Sequence, residues 1–456
     1  MAVTRHSTQP LQDPGVEKRP NFEALKEDPL SNRNMSRLVF GSYVLIVTLA
    51  LAAAAWCSEK VIYDFTEKNN TGTTPETGVI ADAAGNLYGT AFFANPKFPG
   101  VVYKLTHSNG TWTESVLYTF IGGADGGTPT ALVMDPSGNL FGITTAAGRP
   151  TTGTKVCLAI GCGVVYELKR GSGGYTYSVL YSFTGLADGA TPQGITRDAT
   201  GNLYLTTLSS TGNCGGGTCG AVFKLTHTAS GWKGSSVHVF GAGDGENPRS
   251  AVILDAAGNL YGTTQRGGTF NFGTVYELSP ATGGHWTENV LYSFTGGSDG
   301  SQPQGAVLFD SSGNLWSTTV AGGANNYGTV FQLAPGSGGW TENPVYSFAD
   351  GSDGSAPAGG LIFDSVGNLY GTTISGGGST LCIPTGCGTV FKLAPVSGGW
   401  TESVLYAFSG GTDGQEPQPG GVILEKGNLY GTTAYGGKVE TFGCPNGCGV
   451  VFEVTP

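Results

Sequence analysis

An all-β ring, a single seven-bladed propeller of four-stranded antiparallel blades, is the fold this sequence predicts, and three observations predict it. A Gly-Asn-Leu-aromatic tract recurs seven times, at Gly85, Gly138, Gly201, Gly258, Gly313, Gly367 and Gly427. Three further short tracts, rich in Val, Ile, Thr and aromatics, accompany it in fixed order. Glycine supplies 78 of 456 residues and charged residues only 12%. Long surface helices need charge and avoid glycine, so helical bundles are excluded. The 7 Trp, 19 Tyr and 22 Phe argue against disorder. A net charge of −11 argues against a protein that neutralises nucleic-acid phosphates.

Taken in order, residues 1–34 are polar and lack apolar periodicity, which predicts a disordered extension. The run from Leu38 to Trp56 carries no charge and follows Arg33 and Arg37. Such a run is a signal-peptide core or a membrane anchor whose arginines keep its N-terminal side inside. Read from Met35, it has the three regions of a secretory signal, with a small-x-small site near Ala55, so Met35 is a candidate start. Residues 35–57 are therefore read as a signal peptide, or as an anchor if uncleaved; the cleaved form is preferred. Membrane contact through 38–56 is expected only in the uncleaved case. Trp56 stands where a lipoprotein box needs a small residue, which disfavours lipidation of Cys57. The propeller then occupies residues 58–456, on the extracellular, cell-surface or periplasmic side.

Within each unit four strands are expected. Strand A resembles Gly360–Asp364, strand B Asn368–Thr373, strand C Gly388–Leu393 and strand D Val290–Phe294. The A strands hold consecutive apolar residues, such as Val252-Ile253-Leu254, which implies cover on both faces, as stacked blades give. Six A–B connections read Asp-x-x-Gly-Asn, as at Asp255–Asn259, the chemistry of a short hairpin. Blade seven departs with Glu425-Lys426-Gly427. The first segment, Val61–Phe65, is a lone D strand, and the last copy ends on strand C with no D following. Pairing the two closes the ring.

These tracts resemble the GloVer tandem-repeat (choice-of-anchor) family of exported bacterial proteins. Leu291-Tyr292-Ser293-Phe294, Asp299-Gly300, Gly313-Asn314-Leu315 and Gly328-Thr329-Val330-Phe331 carry the likeness. More distantly, Asp310–Thr318 is similar to repeats of sensor-kinase and lyase propellers. The resemblance implies a surface or extracellular setting and no particular activity.

Eight cysteines fall in pairs, Cys157/Cys162, Cys214/Cys219, Cys382/Cys387 and Cys444/Cys448, all between strands B and C. In an exported chain such pairs read as local disulfides, because a metal would require four ligands. B–C and D–A loops leave an antiparallel blade on one face. Six D–A loops carry Asp-Gly-x-x-Pro, at Asp125, Asp188, Asp244, Asp299, Asp353 and Asp413. These are a candidate ring of carboxylates for a cation or basic partner; the preferred reading is a turn that repeats with the fold. Residues that break the repeat on that face, Arg149, Lys155, Arg249 and Arg266, are the stronger binding candidates. Arg197, a charge within an apolar A strand, is a candidate channel residue. The five histidines are scattered, and no nucleophile, zinc or phosphate motif is present. No catalytic residue, metal or cofactor is assigned. The expectation is a monomeric, non-enzymatic binding or scaffold protein, with a glycan or cell-surface protein as partner and no nucleic acid. The alternative is an extracellular carbohydrate lyase or hydrolase with carboxylates at the channel mouth.

Overall fold

One side chain organises each A–B hairpin. Asp310 Oδ1 accepts hydrogen bonds from the backbone N–H of Ser312 (2.8 Å) and Asn314 (3.0 Å). Its Oδ2 accepts from the Asn314 amide (2.7 Å) and the Trp316 indole (2.9 Å). Asp82, Asp135, Asp198, Asp255 and Asp364 bond the backbone of their own Asn in the same way. In blade seven, Lys426 and Gly427 take φ of 52° and 89° instead. Glu425 then pairs directly with Asn428 across a two-residue loop.

The computed structural model describes residues 58–66, 72–75, 77–92, 99–148, 157, 161–210, 219–382, 384–439 and 444–456. Residues 1–57, with the candidate start Met35 and the segment 35–57 read as a signal or anchor, lie outside them. The chain divides into Met1–Ala55 and Trp56–Pro456, and the second unit carries the described fold. Seven antiparallel sheets follow one another along it. In blade four, strands A to D are Ile253–Leu254, Leu260–Thr264, Thr274–Pro280 and Trp286–Ser293, hydrogen-bonded in that order. In the last blade the A strand is split into Gln415–Pro417 and Ile423–Glu425, and B and C are Asn428–Tyr435 and Val450–Thr455. Its D strand is Ser58–Asp64, paired antiparallel from Ser58↔Thr455 to Asp64↔Val450. The ring closes as the lone D strand implied. Among the described residues no helix is long and apolar enough to cross a membrane.

The core lies between blades, in seven apolar clusters, one at each seam. Seven D-strand phenylalanines reach across those seams. Phe65, Phe120, Phe183, Phe240, Phe294, Phe348 and Phe408 are almost wholly buried. Each meets the strand-C aromatic of the next blade edge-on, as Phe294 meets Phe331 at 5.1 Å. This is the favoured geometry of aromatic pairs. The Gly-Thr-Thr of strand B has a use for each residue. A Cβ on Gly371 would stand 2.5 Å from the Phe391 ring, so the glycine makes room for it. The first threonine donates across the seam to the next A strand, as Thr263 Oγ1 does to the Gly305 carbonyl (3.1 Å). The second is buried against strand C, with Thr319 Oγ1 2.9 Å from Thr329 Oγ1. At the hub, A strands nearly touch: a Cβ on Gly194 would lie 2.3 Å from the Ala251 nitrogen.

A candidate binding face built from the B–C and D–A loops

The chain crosses from blade to blade through the D–A loops, which hydrogen-bond the B–C loops beside them. Gly323 N–H, in a B–C loop, donates to Gly297 in the D–A loop before it (2.9 Å). Both loop sets therefore form one face. Their Asp-Gly-x-x-Pro motif is a junction. Asp299 is buried, and its Oδ2 accepts from the Tyr292 hydroxyl (3.1 Å) and Thr295 N–H (2.7 Å). Its Oδ1 accepts from the Thr295 hydroxyl (2.7 Å) and Gly297 N–H (3.1 Å). Asp125, Asp188, Asp353 and Asp413 likewise take a strand-D tyrosine and their own loop's N–H. Asp244 takes His238 (2.9 Å) in place of the tyrosine. All six carboxylates sit beside strand D of their own blade, bonded into their turns.

The residue before each junction proline adopts φ between 52° and 58°, although none is glycine: Thr74, Thr128, Thr191, Asn247, Gln302, Ala356 and Glu416. That conformation turns its N–H onto the preceding blade's B–C loop. The acceptors are the carbonyls of Cys448, Pro99, Cys162, Cys219, Phe272, Tyr327 and Cys387, at 2.7–3.0 Å. The second cysteine of each pair thus holds the bond that joins two blades. Disulfides link Cys157–Cys162, Cys382–Cys387 and Cys444–Cys448. Cys219 is also disulfide-bonded; Cys214 lies outside the described residues. The short loops that these crosslinks stiffen are therefore blade junctions as well. Among the described residues no three His, Cys, Asp or Glu gather as metal ligands.

Of the repeat-breaking basic residues, Arg249 and Arg266 both lie in blade four, and Arg249 bonds the residue next to Arg266. Arg249 Nε donates to Gln265 Oε1 (2.6 Å), and Gln265 Nε2 reaches Gln302 Oε1 (3.5 Å). Arg266 and Glu246 exchange backbone hydrogen bonds. Crowding by protein, reinforced by the Arg266 charge, pulls the Arg249 pKa down from its usual range. Arg149 and Lys155 lie outside the described residues. Arg197 turns back over its own A–B hairpin, at the opposite face, where its guanidinium approaches the Asp198 carbonyl (3.4 Å). His107 and His227 pack on Trp112 and Trp232.

Motif reading did not isolate the apolar character of this face. Ile121, Leu186, Phe270, Phe272, Tyr327, Leu381 and Val439 are exposed, and every one lies in a B–C or D–A loop. Among the described residues, the other exposed large apolar ones are Val116 and Val179 on D strands, Val366 in an A–B turn and Val396 at a C–D end. The signal was present as departures from the repeat: Leu381 and Val439 fall in B–C loops longer than those of blades four and five, and Phe270 stands where blade five holds Asn325.

Fold and tandem unit together define a repeat β-propeller. The chain belongs to the Gloeobacter/Verrucomicrobia repeat family, whose model matches residues 157–383 and 284–456. No curated protein matches it. Among solved structures, it is similar to a chain described as the extracellular domain of a one component system from B. thetaiotaomicron. The TM-score there is 0.51 at 10% identity, covering 87% of this chain and 39% of that one. A PQQ-bound aldose sugar dehydrogenase from Streptomyces coelicolor gives 0.41 at 12% identity, covering 88% and 99%. A protein of unknown function from Dyadobacter fermentans gives 0.43 at 11%, covering 88% and 98%. At these identities the likeness is one of fold. Disulfides persist in oxidising compartments, and with the exported family they indicate an extracellular or periplasmic protein.

Proposed function

We propose that this protein is an exported, non-enzymatic binding or scaffold propeller whose B–C/D–A face is its recognition surface. The concentration of exposed apolar side chains on that face carries the reading. Ile121, Leu381 and Val439 are each more than 70% exposed, and exposed apolar groups gathered on one surface mark interaction sites. Loops on a rigid scaffold are where such function resides. The seam contacts supply the rigidity. Export through residues 35–57 belongs to the same proposal, as does a contribution from Arg149 and Lys155 on that face.

A glycan array combined with a polysaccharide-turnover assay on the purified propeller tests it. Retention of a glycan without product is expected, weakened by Phe270→Ser with Leu381→Ser and by charge reversal at Arg149 and Lys155. The unfolding midpoint should not move with the loop variants. Turnover of a polysaccharide in that assay would establish the carbohydrate-active enzyme instead.

A further inference from the structure

Blade four departs from its neighbours at three positions that the scaffold does not require. Gln265 occupies the end of strand B where Val320, Ile374 and Ala434 stand in blades five to seven. Arg266 follows it, where the others hold Ala321, Ser375 and Tyr435. Arg249 lies just after its junction proline, where blades five to seven hold Gln304, Ala358 and Gln418. The segment leads directly into strand A, the innermost strand, so the group sits at the inner end of the face. The geometry holds it in place. Gln265 fixes the Arg249 guanidinium at 2.6 Å and is itself within reach of Gln302.

Among the described residues the group has no counter-ion. The ion pairs of the described residues are His238–Asp244, Lys426–Glu425 and Lys438–Asp64, and neither arginine is among them. Glu246 meets Arg266 through the backbone alone. Arg249 is thus tied by its side chain to Gln265, the residue next to Arg266, on a chain whose net charge is −11. Guanidinium groups without an acidic partner suit an anion, and their planar fork matches a carboxylate in two-point contact.

We propose that Arg249 and Arg266 form a carboxylate-binding subsite for an acidic glycan, taking the carboxylate of a uronate unit. The inference rests on the binding-platform reading and names its ligand class. The Gln265 and Gln302 amides offer donors and acceptors for sugar hydroxyls. Phe270 and Phe272, exposed on the same B–C loop as Arg266, offer faces against which a sugar ring packs. The acidic chain repels polyanions at long range, so affinity comes from this local contact.

Calorimetric titration of the purified propeller with tetragalacturonate, its methyl ester and a tetraglutamate peptide tests the proposal. Tetragalacturonate should bind, the ester at least ten-fold more weakly. Arg249→Gln should cost ten-fold or more and Arg249→Gln with Arg266→Gln should abolish binding. The unfolding midpoint of both variants should stay level, because neither arginine is in an ion pair among the described residues. Equal affinity for the ester, indifference to Arg249→Gln, or no uronate binding would overturn the subsite. Preference for the peptide would overturn the glycan assignment. The two readings fail separately. A neutral glycan or protein retained on the apolar loops of the Arg249→Gln variant ends the subsite alone, while turnover ends the platform and leaves uronate binding by Arg249 standing.

Discussion

Thr191 shows what a single residue contributes to joining blades. Its φ of 55° lies in the left-handed region, which a β-branched side chain avoids at a cost on the order of 1 kcal/mol. The conformation persists because it aims the Thr191 N–H at the Cys162 carbonyl (2.9 Å) of the preceding blade. Asparagine tolerates that region far better. Asn247 already fills the same place one blade later, with its side-chain amide donating to the Leu208 carbonyl (3.0 Å). Thr191→Asn should therefore raise stability by about 0.5–1 kcal/mol, the scale of relieved backbone strain. Urea unfolding checks this: an unchanged or lower midpoint with unchanged slope would show that the left-handed threonine is unstrained. The proline and Asp-Gly of each junction were legible as turn chemistry. The left-handed residue between them was not, because Thr, Gln, Ala and Glu carry no sequence mark of positive φ.

At the scale of the strand, the D strands place a glutamate against the preceding blade at five seams. Burial, reinforced by the Asp299 charge, raises the Glu342 pKa to about 8. Burial, reinforced by Asp413, Asp244 and Asp353 respectively, raises Glu59, Glu288 and Glu402 to about 7. Burial raises Glu114 to about 7, opposed by a hydrogen bond with Tyr63. Tyr177 and Gly234 replace the glutamate in blades two and three. A carboxyl whose folded pKa is raised favours the folded state while protonated. The unfolded chain ionises near 4.5, so stability falls as pH rises from there and through 7–8. The hairpin aspartates work in the opposite direction. Burial disfavours the Asp310 charge, but bonds from Trp316 and Asn314 outweigh it and hold the pKa below 3.8, so stability also falls in acid. Maximum stability is thus expected at mildly acidic pH. Glu342→Gln should flatten the decline of the thermal midpoint between pH 6 and 9, and an unaltered slope would show that the seam glutamates do not couple to folding. Hairpins, strands and their order were readable because each tract repeats with its turn residues. The seam glutamates were readable only as part of a Trp-Thr-Glu connector, since their partners belong to another blade. The proposed subsite was legible in part. Arg249 and Arg266 break the repeat, whereas their link through Gln265 depends on how a D–A loop lies along strand B.

The whole molecule depends on one strand contributed by the opposite end of the described chain. Ser58–Asp64 covers Val450–Thr455, with a bulge between Val61 and Tyr63 where six other blades shift register between strands C and D. Beyond it, Phe65 donates its N–H to Gly449 (3.1 Å) and sets its ring 5.1 Å from Tyr103. Thr74 N–H then bonds Cys448 (2.7 Å), and Thr432 Oγ1 reaches the Thr77 carbonyl (2.8 Å). Asp64 accepts from Lys438 N–H (3.1 Å) as well. Removing residues 58–66 leaves the C strand as an open edge and empties the place of Phe65 in the core. Burial of Phe65 and Ile62 alone is worth about 1.5–3 kcal/mol each. An open edge also invites pairing with another chain. The truncated ring should therefore unfold at a lower denaturant midpoint and self-associate. A peptide of residues 58–66 added in trans should restore the monomer and part of the midpoint, because closure here is non-covalent. Each blade rests on two neighbours, so the loss should appear as a shift of the entire transition. Cooperative unfolding at the parent's midpoint, with no association, would mean that six blades hold the seventh without its outer strand.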